Sequence, residues 1–245
     1  MPLLAAFLLA APVAAHLSHG TAIAAIRTPS ELVIAADSRV VDEHGRRLPD
    51  TCKVRIVDDT VFAIHGMSAH PAGLDLFALV TDVVAFAPDL RTASGGVVSR
   101  ATGPIRAAVS DLRSSAPRTF ERYVAGKAPA GVLLARIEHG RPAISYIRFS
   151  VSDAAGSFSI RAEVRSCPGA DCPTGVTAIF VGPAEDVSDF KASHPGYWTR
   201  DPSSIASAFV RREVSHRHDD IGGPVQVLRL RSSGVAWLSR KPPCP

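Results

Sequence analysis

Thr21, Asp37 and Lys53 are spaced at two equal intervals of sixteen residues, and Gly66 follows them. A threonine hydroxyl is a weak nucleophile unless a nearby base takes its proton. A cut between Gly20 and Thr21 would create such a base, because a free α-amine has an ordinary pKa of about 8. Lys53, as an ammonium, would favour a developing alkoxide on Thr21, and Asp37 would hold the lysine charged and in place. The branched β-carbon of threonine restricts χ1 and so aims the oxygen. Gly66 would let the backbone approach a tetrahedral oxyanion and donate an N–H to it. Gly20, without a side chain, suits the strained geometry that self-cleavage needs. The chemistry these residues suit is acyl transfer.

The elements must bring these residues together. Residues 21–27 and 31–37 are β-rich and flank Thr28-Pro29-Ser30, which reads as a hairpin turn. With Arg27 opposite Glu31, the register sets Thr21 opposite Asp37 at the open end. Residues 53–57 and 60–64, around Asp58-Asp59, form a second hairpin with Lys53 opposite Ile64. Two hairpins lying side by side would make Thr21, Asp37, Lys53 and the Gly66 amide converge. Helices are expected over 72–87, 97–123 and 203–215, the last opened by Asp201 with Pro202 just inside it. Further strands are expected over 131–137, 143–149, 157–164, 177–181, 225–230 and 235–238. This order argues an α+β fold, with antiparallel sheets and helices layered on them, in one domain spanning 21–245.

Gly20-Thr21, the run Leu32-Val33-Ile34-Ala35-Ala36-Asp37-Ser38-Arg39, Lys53, and Val61-Phe62-Ala63-Ile64-His65-Gly66 together resemble the first third of a proteasome β-subunit. They are also similar to the peptidase subunit of the bacterial two-component ATP-dependent protease. Ile221-Gly222-Gly223-Pro224-Val225-Gln226-Val227, followed by Gly234-Val235-Ala236-Trp237, resembles the last hairpin of that family. The resemblance implies a four-layer αββα sandwich of the N-terminal-nucleophile hydrolases and hydrolysis of peptide or other amide bonds. It matches Thr21, Asp37 and Lys53 to the family's catalytic threonine, aspartate and lysine. The residues depart from the family pattern in three places. Ala22 follows the threonine where the family often has Thr or Ser. His218 and Ile221 stand where an aspartate and a serine support the terminal amine, with Asp219 or Asp220 as substitutes after a small shift, and Pro183 replaces another supporting serine. The competing expectation is the same sandwich without catalysis, serving as a scaffold as the proteasome α-subunits do.

Residues 1–15, MPLLAAFLLAAPVAA, carry a small-apolar run too short to span a bilayer and then Pro12-Val13-Ala14-Ala15, which suits signal-peptidase cleavage. No Lys or Arg precedes the run. Residues 16–20 would then be a short pro-segment, and the mature protein periplasmic or secreted, off the membrane once the leader is gone. Four cysteines agree with an oxidising compartment. Cys167 and Cys172 flank a Pro-Gly turn and are expected to form a disulfide; Cys52 with Cys244 is a weaker pairing.

The net charge of +4 is scattered and aromatics are only 6% of the chain, so no basic, aromatic-laced footprint for nucleic acid exists. No cofactor is expected. His216-Arg217-His218, with His194 and Asp219, has no common metal-ligand spacing and reads as a solvated helix end, so no metal is expected either. His65 reads as a packing residue. A peptide or amide substrate is the expected partner; assembly with further copies of the chain is left open.

Overall fold

The computed structural model describes residues 21–42, 45–154, 157–169, 172, 175–216, 219–240 and 244. The expected leader, the pro-segment and Gly20 lie outside these residues, as do Arg217 and His218.

The first sheet contains β1 (Ile23–Arg27), β2 (Glu31–Ala36), β10 (Thr177–Val181), β11 (Gln226–Arg231) and β12 (Gly234–Ser239), in the order β10-β1-β2-β11-β12. The second contains β3 (Val54–Val57), β4 (Thr60–Gly66), β7 (Ala130–Glu138), β8 (Arg141–Ala154) and β9 (Ser157–Cys167), in the order β3-β4-β7-β8-β9. A two-stranded ribbon joins β5 (Ala69–His70) to β6 (Leu74–Asp75). Every pairing is antiparallel. The helices are α1 (Leu76–Phe86), α2 (Leu90–Ser115), α3 (Pro117–Tyr123), α4 (Ala184–Ser193) and α5 (Pro202–Ser215).

Strand periodicity explains how one run of apolar residues serves two cores. In β2, Leu32, Ile34 and Ala36 join a buried cluster with Val61, Ala63, Leu133 and Ala135 of the second sheet. The alternate residues Val33 and Ala35 join Phe190 of α4 and Ile205, Phe209 and Val210 of α5. In β4, Phe62 and Ile64 face the other way, into a cluster with Val80 of α1, Val97 and Ile105 of α2 and Phe120 of α3. The central strands are therefore apolar on both faces, which is why they read as continuous hydrophobic runs.

Several expected boundaries move, each for a local reason. The ribbon takes up Leu74 and Asp75, and the Asp75 carboxylate accepts the Ala78 N–H, so α1 opens at Leu76 rather than at 72. The helix expected over 97–123 is two helices. Its first part begins at Leu90 behind an Asp89 cap and runs through Gly95-Gly96, where a Cβ on Gly96 would crowd Val83 of α1. It ends at Ala116, because Pro117 disfavours helical backbone before it and opens α3. The Asp201 cap and Pro202 open α5 as expected. Helix α4 has no counterpart in the sequence reading.

The two hairpins do not lie side by side. One belongs to each sheet, and they meet through the buried cluster between the sheets. The first hairpin is also shifted by one residue: Arg27 pairs with Leu32, and Ile23 with Ala36. The cause is the Thr28 hydroxyl, which accepts the N–H groups of Ser30 and Glu31 while the Thr28 N–H donates to the Glu31 carbonyl. That enlarges the turn. The second hairpin keeps its expected register, with Val57 opposite Thr60.

Candidate active site

The one-residue shift sets Ala22, not Thr21, across from Asp37. The Ala22 N–H donates to Asp37 Oδ1 at 3.0 Å, and the Asp37 N–H donates to the Ala22 carbonyl at 3.1 Å. Thr21 then stands one residue beyond the clamped pair, with 5% of its surface exposed.

Lys53 reaches Thr21 and Asp37 from the segment that leads into β3. Its Nζ donates to Thr21 Oγ1 at 3.1 Å and to Asp37 Oδ1 at 2.9 Å. The Lys53 and Asp37 side chains are 3% and 0% exposed, so the ion pair is shielded from solvent and salt. Burial pushes the Asp37 carboxyl up, opposed by the Lys53 ammonium and by the N–H groups of Gly222 and Ala22. The Gly222 bond, 3.0 Å to Asp37 Oδ2, comes from the loop before β11. Charge-assisted bonds of this kind are what a buried carboxylate needs to remain ionised.

Two devices hold Lys53 in place. Gln226 is fully buried; its Oε1 accepts the N–H groups of Lys53 and Val54 at 3.0 and 3.2 Å, and its Nε2 donates to the Thr51 carbonyl at 2.8 Å. The neighbouring Cys52 is disulfide-bonded to Cys244, and Cys167 to Cys172. Both pairings match the sequence reading. Gln226 was not singled out there, although a glutamine between valines at the start of an apolar strand is a signal: a buried amide must find partners.

Thr21 and Gly66 line a cleft of about 450 Å³. Gly66 has φ +73, and a Cβ on it would run into the Pro129 carbonyl, so only glycine suits this position. His65 also lines the cleft, and its Nε2 is 2.8 Å from the Tyr146 hydroxyl. Burial, reinforced by Arg148 and Lys53, lowers its pKa to about 4, so the imidazole is neutral at pH 7. Burial likewise pushes Tyr146 up to about 12. Arg148, Glu163 and Arg165 bring charge to the wall from β8 and β9, and strand pattern alone does not point to them. Pro183 and Ile221, two of the departures noted above, line the same cleft. Lys53 borders a second cavity of about 460 Å³ that also takes in Arg55 and Phe77.

The arrangement offers a buried hydroxyl, a cation bonded to it, a carboxylate bonded to that cation, and a glycine on the wall of an accessible cleft. Among the described residues, no helix is long and apolar enough to cross a membrane.

No family model matches the chain. No curated protein matches it either. Among solved structures it is similar to an Anbu (Gly-1) mutant from Hyphomicrobium sp. strain MC1, with 15% sequence identity, a TM-score of 0.52, and coverage of 91% of this chain and 89% of that one. At that identity the likeness is one of fold, an α+β, proteasome-like architecture.

Proposed function

We propose that this chain is a threonine-nucleophile hydrolase of peptide or other amide bonds, built as a four-layer αββα sandwich in one domain from residue 21 onward. The observation that carries the reading is the Lys53 ammonium, bonded at once to Thr21 Oγ1 at 3.1 Å and Asp37 Oδ1 at 2.9 Å. A threonine placed for structure alone has no need of a buried cation at its oxygen.

The mechanism follows from those contacts. Cleavage of the Gly20–Thr21 bond frees the Thr21 amine, which takes the Oγ1 proton as Oγ1 attacks the substrate carbonyl carbon. Lys53 stabilises the negative charge that grows on Oγ1, and Asp37, bonded to the same Nζ at 2.9 Å, holds it there. The Gly66 N–H serves the tetrahedral oxyanion. Collapse expels the amine half of the substrate with the proton held by the Thr21 amine. Water, activated by the same amine, then hydrolyses the ester on Thr21 and restores the hydroxyl.

Export belongs to the same proposal: residues 1–15 as leader, residues 16–20 as pro-segment, and a periplasmic or extracellular protein whose two disulfides suit that compartment. The test is intact mass and N-terminal sequencing of native material, followed by treatment with a threonine-directed electrophile. A chain beginning at Thr21 with one adduct, absent from Thr21→Ala, is expected. A chain beginning at His16 that takes up no adduct would sink the proposal.

One observation favours a second reading, the same sandwich as a non-catalytic scaffold. Pro183 and Ile221 line the cleft beside Thr21 and offer no side-chain hydrogen bond to orient a terminal amine, which leaves that task to Asp220 on the same wall. A correctly processed chain that forms no adduct would select this reading.

A further inference from the structure

We propose that Asp186, Glu213 and His216 form a binding site for a divalent transition cation, best suited to zinc, which ties α4 to α5 beside the cleft.

Asp186 lies in the first turn of α4, Glu213 near the end of α5, and His216 at its C-cap. One donor atom from each lies within 4.8 Å of the other two. Donors bound to a common tetrahedral zinc at about 2.1 Å are about 3.4 Å apart. Closure therefore needs the donors to draw in by at most roughly 1.4 Å. His216 can supply it, because its side chain is 37% exposed. Its Nδ1 is hydrogen-bonded to Asp186 Oδ1 at 2.9 Å, a pair that the ion would open to about 3.4 Å. An imidazole with two carboxylates is a borderline donor set, which suits zinc better than calcium or magnesium.

Glu213 provides the independent indication. The residue is 0% exposed, and neither carboxylate oxygen has a hydrogen-bond partner among the described residues. A buried, unsatisfied carboxylate is costly. Its position makes matters worse, because the C-terminal end of a helix is the negative pole of the backbone dipole. The adjacent Asp186 brings a second carboxylate to the same place. A cation between them removes both penalties. The exposed side of His216 offers it a way in.

The position links the ion to the cleft. A Cβ on Gly182 would stand 3.0 Å from Glu213 Oε2, and Gly182 and Pro183 line the cleft. On the other side of His216, the chain continues to Ile221 on the cleft wall and to Gly222, whose N–H bonds Asp37. Binding would therefore stiffen both segments that frame Thr21.

The test uses the full chain in Thr21→Ala form, so that its outcome is independent of whether the protein is a hydrolase. Chelator-treated protein is titrated with zinc chloride against a chromophoric chelator, and thermal unfolding is followed with and without zinc. One saturable equivalent with a raised Tm is expected. Glu213→Gln and the partly exposed His216→Ala should each weaken binding at least about 100-fold. Absence of a saturable equivalent in the parent overturns the proposal. So does unchanged affinity in folded His216→Ala, which would place the zinc elsewhere. Glu213→Gln that unfolds later than its parent, where the parent binds no zinc, would identify a shared proton in place of the metal.

Discussion

Gln226 Oε1 accepts the backbone N–H of Lys53 at 3.0 Å across 173 residues of chain, so the last hairpin holds the lysine that faces Thr21. Gln226→Leu would strand the N–H groups of Lys53 and Val54 in the interior. A loss of about 1–3 kcal/mol per unsatisfied group is expected. Under the proposed function, adduct formation at Thr21 should slow at least about tenfold, since Lys53 Nζ would no longer be positioned. Urea unfolding and the labelling rate check this together. A stability loss with unchanged labelling would reduce Gln226 to a structural brace.

Replacing Lys53 with Met leaves Asp37 buried and without the cation that opposes the burial-raised pKa of its carboxyl. The expected cost is about 3–5 kcal/mol, because the carboxylate loses its counter-charge without regaining water. Lys53→Met with Asp37→Asn should recover part of that loss, since no buried charge remains. Neither variant should form the adduct. Denaturant midpoints of the two singles and the double, read as a cycle, give the coupling directly.

His65 predicts a pH dependence of stability. Its pKa is about 4 in the folded chain against 6.5 ordinarily. Between those values the unfolded chain binds a proton that the folded chain refuses, so stability falls as pH drops through this window. A shift of this size is worth on the order of 3 kcal/mol. His65→Gln should therefore lose less stability than the parent between pH 7 and pH 4.5, measured by urea unfolding. Parallel pH profiles for the two proteins would refute the assignment.

The two disulfides should differ in weight. Cys52–Cys244 closes a loop with a separation of 192, and Cys167–Cys172 one of 5. Chain entropy gives roughly 5 kcal/mol for the first and roughly 2 kcal/mol for the second. Serine pairs at each bond, compared by thermal unfolding, should keep that order. Only loss of the long-range bond should also slow labelling, because Cys52 adjoins Lys53.

Much of this was legible in the sequence because chemistry constrains it. Thr21, Asp37 and Lys53 could be found by residue type and spacing, and the structure brings all three together. The path to them was less legible. A threonine hydroxyl in the first turn shifted the hairpin by one residue, a choice that local hydrogen bonds make and apolar pattern does not record. The hairpins met across two sheets because β2 and β4 are apolar on both faces, which periodicity alone cannot assign to a layer. Gln226, Tyr146 and Arg165 reach the site from strands far along the chain. Their roles depend on tertiary placement that a single sequence does not encode locally. Helix α4 was missed because it is short and its few apolar residues, Val187 and Phe190 among them, set up only a brief repeat.

The two hydrogen bonds between Ala22 and Asp37, one to the Asp37 carboxylate and one from its backbone N–H, have a consequence for maturation. That clamp lies one residue inside the proposed scissile bond, so it is intact on either side of the cut. Precursor and product should melt together and differ only in mass and in reactivity toward the electrophile. On that view, removal of the pro-segment arms the protein without refolding it.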